Sequence, residues 1–327
     1  MKRAPILSIC IPTYNRPVEF KRLLGILAGQ ISGQDNSIEV VIRDDSSDNQ
    51  LKIVENLLGA QKVLYQYFHG EKIGLDLANL FLLEKARGDY VWWVGDDDEI
   101  LDGSLERIMN VLKNIEGVSF MWINFRIAGR SSPVVEKGIE GFFKDRNEVL
   151  NVVGNDIGLL TTLLVKRDEA LPYVSLGKKR SVGFGFASLV PVFGILSGPG
   201  KFYFMRTPCF VCNLTPPEEI KEKVTRSGKI ENDGFYIFGV NFYETASLFK
   251  KNFKKRALRR LFSRNFKNIW RGIIVAWIGG WDTPKGKRIP MFKIYWSYFG
   301  FWIFLTLSFL PRRIVSSLYK LFKILFR

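Results

Sequence analysis

Four short apolar runs, each trailed by a stretch with helical spacing, constrain the fold of the first 128 residues more than any other feature. "ILSICI" (6–11), "IEVVIR" (38–43), "VLYQYF" (63–68) and "YVWWVG" (90–95) have the length and near-continuous apolar character of strands buried on both faces. Between them, "PVEFKRLLGILAG" places Phe20, Leu23, Leu24 and Leu27 at helical intervals. "LKIVENLL" and "LANLFLLEKA" read as two more helices, followed by a helix over about 105–112 and a strand-like "VSFMWINF" at 118–125. Strand and helix alternating at this spacing predict an α/β fold with a mostly parallel sheet and helices on both faces.

In such a sheet, ligands bind beyond the carboxyl ends of the strands. Pro12, Thr13, Tyr14, Asn15 and Arg16 follow the first run, Asp44 and Asp45 the second, and Asp96, Asp97 and Asp98 the fourth. Three adjacent carboxylates repel one another and lose hydration in a cleft, so they call for a positive partner. A divalent cation is the usual one, although three Asp residues do not specify it alone. Neither the dinucleotide-binding Gly-x-Gly-x-x-Gly nor the Walker Gly-Lys-Ser/Thr is present. Phosphates in this cleft would be held through a metal and not a glycine loop.

Charge is very unevenly placed. Residues 249–327 hold 19 Lys and Arg against one acid, a net of +18, whereas residues 1–248 come to −2. A near-neutral globular protein thus carries a basic tail, suited to an anionic membrane face or to nucleic acid. Cys10, Cys209 and Cys212 read as plain strand residues of a reducing compartment. The lone C-x-x-C in "PCFVCN" has no second pair, and His69, read as a loop residue, is the single histidine. The N-terminal apolar run stops at Pro12 with no small-residue cleavage site, so it does not read as a signal peptide. The bulk of the protein is expected in the cytoplasm.

"LSICIPTYNRPVEFKRLL", "IEVVIRDDSSDN" and "GLDLANLFLLEKARGDYVWWVGDDDEIL" match, in order and spacing, the family 2 glycosyltransferases of the GT-A fold, of the kind that builds bacterial surface polysaccharides. The resemblance covers about the first 105 residues. It implies a Rossmann-like GT-A fold and transfer of a sugar from a nucleoside-diphosphate donor with Mg²⁺ or Mn²⁺. It also implies site residues. Pro12, Thr13, Tyr14, Asn15 and Arg16 would meet the nucleotide, Tyr14 as the wall of the base. Asp45 would accept a hydrogen bond from the base, with Asp44 beside it, and Gly74 and Asn79 would lie under the donor sugar and phosphates. The Asp-x-Asp motif falls on residues 95–98 with Gly95 in place of its first Asp, which makes Asp97 the metal-facing residue. Asp96-x-Asp98 is a second frame, so Asp96 is assigned to the nucleotide and Asp97 and Asp98 to the metal. The family's catalytic carboxylate before an apolar helix is missing from "KRSVGFGFASLVPVF", and Asp156 in "GNDIGLL" is the nearest acid before it. Rival readings are a haloacid dehalogenase-like phosphatase, whose motif would sit on its first strand, and a non-catalytic membrane-bound scaffold.

The expected organisation is a nucleotide-sugar half (1–130), an acceptor-side half (131–248) and a membrane-associating region (249–327), with a Gly/Ser/Pro linker at 127–138. In the tail, Phe253, Ala257, Leu258, Leu261, Phe262, Phe266, Ile269, Trp270 and Ile273 form one helical stripe, with basic residues elsewhere around the helix. That is the pattern of a helix lying in a membrane interface; its bulky apolar side chains argue against nucleic acid. Residues 294–310 carry no charge but would make a helix of only about 25 Å, short of a span. The expected enzyme is peripheral or monotopic on the cytoplasmic face of the inner membrane, acting on a glycan or polyprenyl-linked acceptor.

Overall fold

The computed structural model describes residues 4–32, 36–180, 186–213, 239–279 and 285–325. Its elements up to residue 127 are β1 (Leu7–Thr13), α1 (Pro17–Ile31), β2 (Ile38–Asp44), α2 (Leu51–Val54), β3 (Leu64–His69), α3 (Leu75–Lys85), β4 (Tyr90–Trp93), β5 (Glu99–Ile100), α4 (Ser104–Asn114) and β6 (Val118–Ile127). The apolar runs became strands because almost every side chain of β1, β2, β4 and β6 is buried. The helical spacing in α1 turns Phe20, Leu23, Leu24 and Leu27 onto the sheet, as expected.

The rest comprises β7 (Gly141–Phe142), α5 (Arg146–Val153), β8 (Leu163–Lys166), α6 (Arg167–Ala170), α7 (Val174–Arg180), α8 (Leu189–Ser197), β9 (Lys201–Cys212), α9 (Phe242–Ser247), α10 (Lys255–Ile278), α11 (Arg288–Tyr295), α12 (Phe299–Phe309) and α13 (Arg312–Leu325). α8 accommodates Pro191 because it stands in the first turn, where a missing N–H costs no helical bond.

Among the described residues the strands form one sheet in the order β3-β2-β1-β4-β8-β6-β9-β5, with β7 also on β9. The first three pairings are parallel. The expectation of a mostly parallel sheet needs correction beyond β4. β6 does not pair with β4; β8 lies between them, antiparallel to both, and β5 and β7 run antiparallel to β9. The sheet is mixed. The reason is the route: from β6 the chain reaches β8 through α5 and short 3₁₀ turns, without the crossover that returns a chain to the start of a parallel strand. Segment 127–138 also does more than link. The buried Asn124 amide bonds Val135 N and O and Arg206 O, pinning that segment to the sheet, and strands from both sides of residue 130 share it.

The C-terminal stripe differs most from its expectation. Phe253, Ala257, Leu258, Leu261, Phe262, Phe266 and Ile273 are buried, most of them on an α10 packed over α5, the turn after it, α12 and α13. Burying a large apolar side chain contributes about 1.5–3 kcal/mol, and here that gain comes from protein contacts. The uncharged run 294–310 is broken between Tyr295 and Phe299 into two helices. Among the described residues, no helix is long and apolar enough to cross a membrane.

Candidate active site

The chain lays β2 and β3 on one side of β1 and then returns to lay β4 on the other. This reversal opens a crevice at the carboxyl ends of β1 and β4, the place where open α/β sheets bind ligands. Register decides what meets there. Cys10 pairs with Trp93, so the residues three further along, Thr13 and Asp96, face each other across the crevice. Thr13 Oγ1 donates to Asp96 Oδ2 at 2.7 Å.

The three carboxylates share one turn but take different partners. Asp96 is buried between Thr13 and Arg16, whose Nη1 lies 3.2 Å from its Oδ1; burial raises its pKa, and those two partners hold the rise back. Asp98 is buried on the opposite side, where it accepts from Thr161 Oγ1, and burial pushes its carboxyl up to about 7. Asp97 alone keeps a side chain 31% exposed, with Arg16 Nη1 at 2.6 Å from its Oδ2. The turn is anchored by its backbone: Asp97 O accepts from Arg22 Nη2 and Asn213 Nδ2, both at 2.8 Å. Gly95 has a steric reason. A Cβ there would lie 3.1 Å from Asp97 Oδ1 and 3.3 Å from Asp98 Oδ2, so a side chain at this position would crowd both carboxylates. Among the described residues, no three His, Cys, Asp or Glu side chains converge as a metal cage.

The second acidic turn is self-satisfied. Asp44, fully buried, accepts from Tyr67 Oη at 2.5 Å, Ser46 N at 2.9 Å and Gln50 N at 3.3 Å. Asp45, also buried, accepts from Arg43 Nε at 2.7 Å, Ile73 N at 2.9 Å and Gly74 N at 3.1 Å. Gly74 begins α3 at φ 84°, a left-handed value that disfavours any side chain. Asn15, at φ 53°, ties the two loops: its N–H donates to Ser46 Oγ at 2.8 Å, and its Oδ1 accepts from Ser47 N at 3.0 Å.

Tyr14 projects into solvent, 44% exposed, with Lys72 Nζ 4.0 Å above its ring. Asn79 is fully buried, and its side-chain amide has no partner among the described residues. Trp93 Nε1 donates to Asn79 O at 3.2 Å, and Trp92 Nε1 to Thr161 O at 2.8 Å. The tryptophans are buried packing residues, and each also fastens a segment beside the crevice. His69, read as a loop residue, is instead the last residue of β3, in register with Asp44, and its Nε2 lies 2.9 Å from Ser46 O. Cys10, Cys209 and Cys212 are buried and free.

Asp156 stands on the turn after α5, five residues before Thr161. Burial raises its pKa, and Arg264 of α10 opposes the rise. Sequence reading missed Thr161 and Lys72. Thr161 accepts from Gly95 N at 2.9 Å while donating to Asp98, a contact across 63 residues that no local pattern announces. Lys72 was findable, because it lies at the carboxyl end of the third apolar run.

Residues 8–157 match the model of the family described as "Glycosyl transferase family 2". The chain is 31% identical over 144 residues to the GalNAc(5)-diNAcBac-PP-undecaprenol beta-1,3-glucosyltransferase of Campylobacter jejuni, a match covering 43% of this chain and 45% of that one. It is 31% identical over 108 residues to an uncharacterized glycosyltransferase of Haemophilus influenzae, covering 33% and 42% respectively. In each case the matched part is less than half of the relative's length. Among solved structures it resembles S. aureus TarS 1–349 in complex with UDP-GlcNAc (TM-score 0.57, 18% identity, 80% of this chain and 72% of that one). It also resembles the mannosyltransferase PcManGT of Pyrobaculum calidifontis in complex with GDP-Man and Mn²⁺ (TM-score 0.51, 14% identity, 98% and 88%). At these identities the two likenesses speak for the fold, and the matched segment carries the strands of the crevice: residues 8–157 form a family 2 glycosyltransferase domain.

Proposed function

We propose that this protein transfers a sugar from a nucleoside-diphosphate donor to a glycan or polyprenyl-linked acceptor at a membrane surface. The observation that carries this reading is Asp97. It is the one partly exposed carboxylate of the acidic turn, standing at the β1–β4 crevice with Arg16 against it. The neighbours named above, TarS with UDP-GlcNAc and PcManGT with GDP-Man and Mn²⁺, support a nucleotide-sugar donor. The Campylobacter relative, whose name specifies an undecaprenol-linked substrate, supports the acceptor class.

Each residue then has a physical task. Tyr14 presents an exposed aromatic face beside Lys72, suited to stacking a base and holding an anion near it. Asp45 fixes the Gly74 end of α3, and its remaining lone pairs are available to the base. Asp44 shapes the same loop from beneath. Arg16 is placed to pass from Asp97 to a phosphate oxygen. The residues fit a divalent cation that takes one protein carboxylate, Asp97, and most of its other ligands from water and the diphosphate, the usual habit of Mg²⁺. Such an ion would supply neutralisation of the charge that develops on the leaving diphosphate. Asp98, turned toward Thr161, would support the turn or become a ligand only by leaving that bond. Asp156 is the carboxylate proposed to take the acceptor hydroxyl's proton, since burial makes it a stronger base than a solvated Asp.

Membrane attachment falls to other residues than the α10 stripe. Ile289, Phe292, Trp296, Phe299, Trp302 and Phe309 of α11, α12 and the turn between them are exposed, in a region rich in Lys and Arg. An anionic bilayer complements both features, and the cytoplasmic face of the inner membrane is the expected one. Replacing Phe299 and Trp302 by Ser should lower flotation with anionic vesicles while leaving the melting temperature unchanged.

The central test is a thermal-shift screen of UDP, GDP, CDP and dTDP with and without Mn²⁺, followed by transfer from the matching nucleotide sugar. At least one diphosphate should stabilise the protein only when metal is present. Stabilisation independent of metal would remove the cation from this reading, and no stabilisation by any of the four would remove the donor.

A further inference from the structure

The four arginines of the first half of α10 face a groove that the donor site does not use. Arg256, Arg259, Arg260 and Arg264 line one side of an open depression of about 600 Å³, and Tyr298 and Phe299, at the start of α12, line the other. Two hydroxyls, from Ser263 and Ser297, complete it, and among the described residues no carboxylate lies in its wall. None of the ion pairs found among the described residues involves any of these arginines. Four like charges on little more than two helical turns repel one another, so a folded chain that keeps them together has a reason to meet an anion there.

The groove is fixed at its inner end. Arg264 Nη1 donates to Asn151 O at 2.8 Å, and Arg260 Nη1 to Asn151 Oδ1 at 3.3 Å, both at the end of α5. Gly154, in a left-handed conformation at φ 62°, leaves room for Arg264; a Cβ there would lie 3.1 Å from Nη1. Its outer end is different. Phe299 is 81% exposed and belongs to the apolar surface of α11 and α12. One wall therefore offers planar, bidentate donors for phosphate oxygens, and the other leads into apolar side chains suited to an alkyl chain.

We infer that this groove is a second anion site, which holds the phosphate ester of a lipid at the point where the chain meets the membrane. The chemistry shared by its two sources is a mono- or diphosphate esterified to an apolar chain: the diphosphate of a polyprenyl-linked acceptor or the headgroup of an anionic phospholipid. The biological meaning of the site rests on the glycosyl-transfer reading, but the binding itself does not.

The test compares the full-length protein with the double variant Arg256→Gln/Arg259→Gln. Both side chains are exposed and neither is used in the donor crevice, so the fold and the nucleotide response should be unchanged. Titration with geranyl diphosphate should show affinity reduced at least 10-fold in the double variant. Flotation should then be measured with phosphatidylcholine vesicles alone and with phosphatidylglycerol added. Loss of geranyl diphosphate binding assigns the lipid diphosphate; loss confined to phosphatidylglycerol vesicles assigns the headgroup. Equal binding of both probes by the two proteins overturns the site, and so does a loss seen only with single-stranded RNA. A nucleotide response that fails while the groove binds its probe removes the glycosyl-transfer reading alone. The reverse outcome removes the groove alone.

Discussion

The two acidic turns at the edge of this sheet look alike in sequence and differ in what the fold does with them. At Asp44 and Asp45 the protein's own donors engage both carboxylates: a tyrosine hydroxyl, an arginine and four backbone N–H groups. At Asp96, Asp97 and Asp98, two carboxylates are turned inward to Thr13 and Thr161, and one is left facing the crevice. Adjacent acids thus do not pool their charge. Each meets its own partners, and Asp97, paired with Arg16 at 2.6 Å, is the one that keeps part of its side chain in solvent.

The comparison can be broken at its sharpest point first. Asp97→Asn removes a charge without changing shape, and it should lower sugar transfer by about 100- to 1,000-fold while shifting the melting temperature little. Near-normal turnover would move the metal contact to Asp96 or Asp98. Asp44→Ala should do the opposite. It leaves Ser46 N without its acceptor and takes the 2.5 Å bond from Tyr67 Oη, which keeps Asn49 Oδ1 at 3.1 Å and Gln50 N at 2.8 Å, at a cost of about 1–3 kcal/mol in chemical denaturation. Activity per folded molecule should fall far less than in Asp97→Asn.

Asp98 offers a pH test. Its carboxyl stands at about 7 in the folded protein, raised by burial, against an ordinary value of 3.8. The folded state therefore binds this proton more tightly than the unfolded chain. This contribution to stability is full below pH 4 and declines as pH rises toward 7, opposite in sign to that of a salt-bridged Asp. In EDTA, Asp98→Asn should flatten that decline, and an unchanged slope would show that Asp98 is charged in the fold. Thr161→Val, which removes both the donor to Asp98 and the acceptor for Gly95 N, should cost about 1–2 kcal/mol. The smallest expected effect is a control outside both turns. Asp145 caps α5 by accepting from Asn147 N and Glu148 N, and Asp145→Ala should cost about 1 kcal/mol without touching turnover.

Much of the fold was legible because its signals are local. Buried parallel strands are read from continuous apolar runs, and α1 from the spacing of Phe20, Leu23, Leu24 and Leu27. The β1 and β4 loops were read as ligand-facing for the same reason, since the carboxyl end of a parallel strand is known once the strand is known. The insertion of β8 between β4 and β6 was not legible. A four-residue strand carries too little pattern, and its direction depends on the route of the chain. The α10 stripe was legible as a stripe, but an apolar face does not say what covers it. Protein and bilayer are equally apolar, and the contact with α5 is what decided between them.

Sequence by itself determined the alternation of strand and helix, the two acidic turns, and the excess of positive charge after residue 248. These follow from periodicity and from charge count, which need no partner to exist. Tertiary structure alone decided which of three neighbouring aspartates faces the crevice, because Thr13 and Thr161 reach Asp96 and Asp98 from 83 and 63 residues away. It also decided that the arginines of α10 line a groove with Tyr298 and Phe299. Hydrogen bonds and burial are properties of neighbours in space, and a chain's neighbours in space are settled only when it folds.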